Sequence, residues 1–128
     1  MQSYRRREHT AVTAIRLNLD TDGFTYRKWG AMQRAKPGDW LVNNGDDVYT
    51  VDAETFERTY SRLGPGLYEK TSRVWARRAE TAGVIPTREG STAYKAGDYL
   101  VFNDPEEKDG YAISASKFES LYIAESVS

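Results

Sequence analysis

An internal repeat restricts this chain more than any other feature. Lys36, Pro37, Gly38, Asp39, Trp40, Leu41, Val42 returns 59 residues later as Lys95, Ala96, Gly97, Asp98, Tyr99, Leu100, Val101, and Asn44 meets Asn103 in the same register. The offset then grows to 62, and Asp47, Tyr49, Ala53, Phe56, Glu57, Tyr60 match Asp109, Tyr111, Ala115, Phe118, Glu119, Tyr122. The three extra residues fall in the polar stretch around Asp104, Pro105, Glu106 and Glu107, where a surface turn tolerates them. A repeat of this size marks each copy as one structural unit. The copies span 12–63 and 74–123, with a basic N-terminal arm at 1–11, a linker at 64–73 and a tail at 124–128.

Each copy reads as a small, mostly antiparallel β unit closed by a short helix. Val12 to Leu19 alternates Ile15, Leu17 and Leu19 with polar residues, the period of a half-buried strand, and Val74 to Ala79 is its counterpart. The Gly-Asp pairs at 38 and 97 predict a turn, since glycine permits positive φ and aspartate bonds nearby amides. Trp40 to Asn43 and Val48 to Val51 then form a hairpin about Asn44, Gly45 and Asp46. Tyr99 to Phe102 and Tyr111 to Ile113 repeat it. Asp52 and Ser114 stand at N-cap positions, and Phe56 with Tyr60, like Phe118 with Tyr122, share one helix face. Gly64, Pro65 and Gly66 punctuate the linker. The expected fold is α+β, two tandem copies packed as one compact body, because units of about 60 residues are marginal alone.

These residues resemble a family of small uncharacterised domains of phages and bacteria that carry a Pro-Gly-Asp-Tyr-Gly type motif. The second copy carries the resemblance through Thr87, Glu89, Gly90, then Ala93, Gly97, Asp98, Tyr99, then Phe118, Glu119, Tyr122. The first carries it through Ala35, Pro37, Gly38, Asp39, Trp40 and Phe56, Glu57, Thr59, Tyr60. Leu41 and Leu100 stand where that motif ends in Gly. The resemblance implies a structural turn motif, and brings no activity, cofactor or catalytic residue with it.

Composition removes several chemistries. With no Cys there is no disulfide, thiolate metal site or cysteine nucleophile, and with His9 the only histidine there is no histidine cluster. No stretch approaches a membrane span, no signal-peptide pattern opens the chain, and a cytoplasmic location is expected. Net charge is −1 but unevenly spread. Residues 1–36 hold eight basic and three acidic side chains and 37–70 hold three and seven, for +5 and −4; residues 71–95 hold five and two and 96–128 hold two and seven, for +3 and −5. Each copy is basic in its first half and acidic in its second.

Candidate functional residues follow from these patterns. Asp39 and Asp98 would form an acid/base pair if the copies faced each other, while a turn-capping role accounts for each locally. For ligand binding, Arg77 and Arg78 are candidate phosphate contacts and Trp75 and Trp29 candidate stacking surfaces, set against solvated charge as the plainer reading. Arg5, Arg6 and Arg7 form a second basic cluster, and His9 reads as a surface residue. The repeated aromatics read as core. The acidic loop from Asn103 to Gly110 lacks EF-hand spacing, so no metal is expected. Two function classes stand. The first is a non-enzymatic binding module, of the kind a phage or mobile element carries, engaging a host protein or small anionic ligand. The second is an enzyme acting on a phosphate-containing, nucleotide-like substrate through Arg and Asp. Partner classes are a host protein, a nucleotide or nucleic acid, or a second copy of the chain; no membrane and no cofactor is expected.

Overall fold

A computed structural model describes residues 1–7 and 11–125; His9 and the last residues, 126–128, lie outside the described residues. In chain order the elements are β1 (Gln2–Arg6), β2 (Ala11–Arg16), β3 (Phe24–Lys28), β4 (Ala31–Ala35), β5 (Trp40–Asn43), β6 (Val48–Val51), α1 (Ala53–Thr59), β7 (Tyr60–Gly64), β8 (Leu67–Lys70), β9 (Val74–Arg78), β10 (Gly83–Thr87), β11 (Gly90–Tyr94), β12 (Tyr99–Phe102), β13 (Gly110–Ile113), α2 (Ala115–Leu121) and β14 (Tyr122–Ala124). The protein is thus mostly antiparallel β with two short helices, an α+β chain.

Two five-stranded sheets flank a four-stranded one. The outer sheets run β6-β5-β2-β8-β7 and β13-β12-β9-β1-β14, and the middle sheet runs β10-β11-β4-β3. Register matches across the outer sheets: Arg16 stands opposite Trp40 as Arg78 stands opposite Tyr99. The first sheet draws all its strands from 11–70, whereas the second takes β1 from far upstream and seats it between β9 and β14. The segments expected as an arm and a linker therefore supply strands. β8 lies in the linker and pairs with β2 and β7.

The punctuation acts as its chemistry dictates. Gly38 and Gly97 hold φ of +86° and +93°, and the neighbouring carboxylates accept the amides of Lys36 (2.8 Å) and Lys95 (2.9 Å). Asn44 closes the β5–β6 loop with its side-chain oxygen, taking the amides of Asp46 and Asp47. In the longer β12–β13 loop Asp104 takes those of Lys108 and Asp109, so the three-residue difference stays within the turn. Asp52 caps α1 at the amide of Thr55 and Ser114 caps α2 at that of Lys117. Each helix then gives way to extended backbone, at Tyr60 and at Tyr122.

The two helices each lay one phenylalanine on an outer sheet. Phe56 packs with Val12, Ala14 and Val42, and Phe118 with Val74, Ala76 and Val101. Phe56 is stacked between Trp40 (4.2 Å) and Tyr60 (4.5 Å), Phe118 between Tyr99 (4.1 Å) and Tyr122 (5.0 Å). A ring from the fourth strand meets each edge-on, Tyr68 at 5.1 Å and Tyr4 at 4.8 Å. The faces away from the helices receive the hairpins: Ala79, Ile85, Leu100 and Phe102 form a third buried group.

The β3–β4 and β10–β11 hairpins join where Gly90 crosses Gln33. A β-carbon on Gly90 would lie far inside van der Waals contact with the Met32 carbonyl oxygen, so only glycine permits this approach. Gly90→Ala is expected to cost about 1–3 kcal/mol, read as a lower melting temperature. Gly64→Ala, whose added methyl meets open space, should be neutral or slightly stabilising.

Candidate functional site

Between the β10–β11 hairpin and the second outer sheet lies a cleft of about 410 Å³. Leu100, Phe102, Ile85 and Tyr94 supply its apolar surface, while Arg77, Arg88 and Lys108 bring three cations to it. Glu107 is the one carboxylate lining it, and it accepts from Arg77 through Nε (3.2 Å) and a terminal nitrogen (3.1 Å). Both partners are about half exposed, so the pair is worth little and can exchange for another anion. A smaller hollow of about 280 Å³ occupies the corresponding place beside β3, lined by Phe24, Tyr26, Lys28, Leu41 and Val48.

The four expected ligand contacts separate. Arg77 lines the cleft, and Trp75, two residues earlier on β9, shares its face of the strand and is half-buried. Arg78 points to the opposite face. Its Nε donates to the Gly97 carbonyl (3.3 Å) and its guanidinium lies 5.5 Å from the centre of the Tyr99 ring. Arg16 makes the same bond to Gly38 (3.3 Å), so this arginine braces the Gly-Asp turn in both halves. Trp29 sits at the β3–β4 tip with φ of +52°, its ring 5.8 Å from Tyr49 and beneath the Lys28 ammonium.

Asp39 and Asp98 each serve their own turn, and no contact joins them among the described residues. Asp39 is 1% exposed and also accepts from the Ala53 amide (3.1 Å) and the Lys36 ammonium (3.1 Å). Capping accounts for both carboxylates.

A second polar cluster ties the halves together around the start of α1. Lys36 Nζ reaches Asp52 (3.2 Å), and Arg88 reaches the same carboxylate from the β10–β11 tip (3.6 Å). Glu89, next along, accepts the Asp52 amide (2.8 Å). Asp109 accepts from Thr55 Oγ1 (2.7 Å) and Arg58 (3.1 Å). Burial raises the Glu89 carboxyl to about 7, helped by the charges of Asp109 and Asp52 and opposed by the Asp52 amide and Lys36. Burial alone would also raise Asp52, but the Thr55 amide, Lys36 and Arg88 outweigh it and hold that carboxyl below its ordinary value. Lys36 is desolvated too, yet its bonds to Asp39 and Asp52 push it up.

Sequence reasoning missed Glu89, Arg88 and Lys36 as neighbours. Asp52 and Glu89 are 37 positions apart, and no local pattern signals their contact. Among the described residues no group of three or more His, Cys, Asp or Glu is placed to hold a metal ion, and no helix is long and apolar enough to cross a membrane. Comparison with protein-family models, with curated proteins and with solved structures finds no match for the chain, so its geometry alone carries the functional reading.

Proposed function

We propose that the chain is a non-enzymatic binding module, an internal duplication of the phage and bacterial type it resembles, whose ligand is a small anionic molecule such as a nucleotide. The observation that carries the reading is the cleft beneath β10–β11, where Arg77, Arg88 and Lys108 border an apolar floor and the single lining carboxylate is already paired. An aromatic and aliphatic floor with convergent cations suits a ligand with a flat apolar part and a phosphate. The duplication is supported by the common strand order of the outer sheets and by the matched stacks on Phe56 and Phe118.

The test is a thermal-shift titration with nucleotides and short oligonucleotides at low and moderate salt. A ligand at 100 times its dissociation constant should add about 2.7 kcal/mol to stability. Arg77→Glu with Arg88→Glu is expected to abolish the shift, Arg62→Glu on the exposed face of β7 to leave it, and added salt to shrink it. No shift for any anion at low salt would defeat the reading in favour of a protein partner. Glu89 favours a second reading, an enzyme on phosphate-containing substrates, because a carboxyl titrating near 7 beside Arg88 is suited to proton transfer. Turnover of a phosphate ester that disappears in Glu89→Gln would establish it.

A further inference from the structure

The outer sheets meet at a cluster that the cleft does not use. Tyr49 (β6) and Tyr60 (β7) come from one sheet and Tyr111 (β13) and Tyr122 (β14) from the other, and the Tyr111 and Tyr122 hydroxyls lie 3.1 Å apart. Each sheet also sends a cation from its fourth strand. Arg6 on β1 stands opposite Tyr122 as Lys70 on β8 stands opposite Tyr60. The Arg6 guanidinium lies 5.5 Å from the centre of the Tyr122 ring, and the Lys70 ammonium crosses to the other sheet, 5.4 Å from the centre of the Tyr111 ring.

Lys70 is only 7% exposed, and among the described residues neither cation has a carboxylate in ion-pair contact. Desolvated positive charge without a counter-charge is unfavourable. Both charges act on one phenol. Burial would raise Tyr122, but Lys70, the Tyr111 hydroxyl and Arg6 outweigh it and hold the group below its ordinary value. The same burial, with the neighbouring phenols, raises Tyr111, Tyr60 and Tyr49 and keeps them as O–H donors. Among the described residues, no phenol oxygen, ammonium or guanidinium nitrogen of the cluster is both buried and without a hydrogen-bond partner.

We propose that Arg6 and Lys70, with the hydroxyls of Tyr49, Tyr60, Tyr111 and Tyr122, form a binding site for a tetrahedral oxyanion, inorganic phosphate or the phosphate of a monoester. The guanidinium offers a planar fork, the ammonium a point charge and the phenols further donors, together more than the two oxygens of a carboxylate can accept. The ion would supply the counter-charge the two sheets lack and would bridge them through one cation and two phenols from each.

The experiment titrates the whole chain with phosphate, sulfate, phenyl phosphate or acetate at constant ionic strength, reading tyrosine difference absorption and melting temperature. A saturable response to phosphate and sulfate is expected, with weak or no response to acetate. An equal response to phenyl phosphate identifies a monoester site, and its absence with phosphate retained identifies a free-anion site. Lys70→Gln and Arg6→Gln should weaken binding roughly tenfold or more. Tyr122→Phe, which keeps the ring and fold, should weaken it as well. Arg77→Glu with Arg88→Glu should leave the response intact, which separates this site from the cleft. No saturable response, a response that survives Lys70→Gln and Arg6→Gln, or acetate binding as well as phosphate would overturn the proposal. So would a tyrosinate band at neutral pH that disappears in Tyr122→Phe, because the phenol would then itself be the counter-charge.

Discussion

Phe118→Ala is expected to remove about 3–5 kcal/mol of stability, and Phe56→Ala a similar amount. The rings are 1% and 2% exposed, so truncation forfeits the whole transfer energy of a buried aromatic. It also opens a cavity that the surroundings fill poorly, because each ring is clamped by two stacked aromatics and one edge-on neighbour. The clamping rings sit on paired strands, whose hydrogen bonds resist a collapse of the sheet toward the helix. Against a typical folding margin of about 5–15 kcal/mol, either change removes a large share. Phe118→Leu, which retains most of the volume, should cost about 1.5 kcal/mol or less. Val84→Ala, at a side chain 64% exposed, should lie within about 0.5 kcal/mol of the parent. Equilibrium unfolding in urea, followed by tryptophan fluorescence and circular dichroism, measures all four. A loss below about 1 kcal/mol for Phe118→Ala would mean that the helix does not hold the second sheet.

Glu89→Gln should stabilise the protein at pH 8 and leave it unchanged at pH 4. In the unfolded chain the carboxyl titrates near 4.5, while in the folded protein burial raises it to about 7. Below 4.5 both states carry the proton, and between 4.5 and 7 only the folded state does. The contribution is therefore complete at low pH and lost as pH rises through 7, a fall of between about 1 and 3 kcal/mol once partial exposure is allowed for. Asp52 works in the opposite sense. Its carboxyl is held below the ordinary 3.8, so its contribution is present above that value and lost as pH falls through the folded one. Glutamine keeps an oxygen for the Asp52 amide and never ionises, so the variant's stability should be flat between pH 4.5 and 7 where the parent's declines. Parallel slopes in urea midpoints across that window would refute the assignment.

What was legible in the sequence was local. The turns at Gly38 and Gly97, the caps Asp52 and Ser114 and the β5–β6 and β12–β13 hairpins depend on residues within a few positions of one another, and each forms as read. The capping role of Asp39 and Asp98 was readable for the same reason. β1 and β8 were hidden because each buries a tyrosine beside a cation, Tyr4 with Arg6 and Tyr68 with Lys70, so neither shows the alternation of a half-buried strand. The β10–β11 hairpin was masked by Pro86, a residue that argues against a central strand. β10 is the edge of its sheet, where the missing N–H costs nothing. The cleft brings Arg77 to Arg88 and Lys108 through pairings between distant segments, and the separation of Arg77 from Arg78 follows from strand geometry, which sends neighbours to opposite faces.

The seating of β1 in the second sheet gives the two halves unequal histories during synthesis. Every strand of the first outer sheet lies between Ala11 and Lys70, so that sheet has all its members once Lys70 has left the ribosome. The second sheet needs segments far apart in the sequence, since Tyr4 pairs with both Val74 and Ala124. Until β14 emerges, β1 has one unpaired edge. The β1–β14 pairing is a closure of very long sequence separation, the slow kind of contact to make. A nascent chain arrested before Tyr122 would carry one finished sheet and one missing the neighbour that covers the edge of β1.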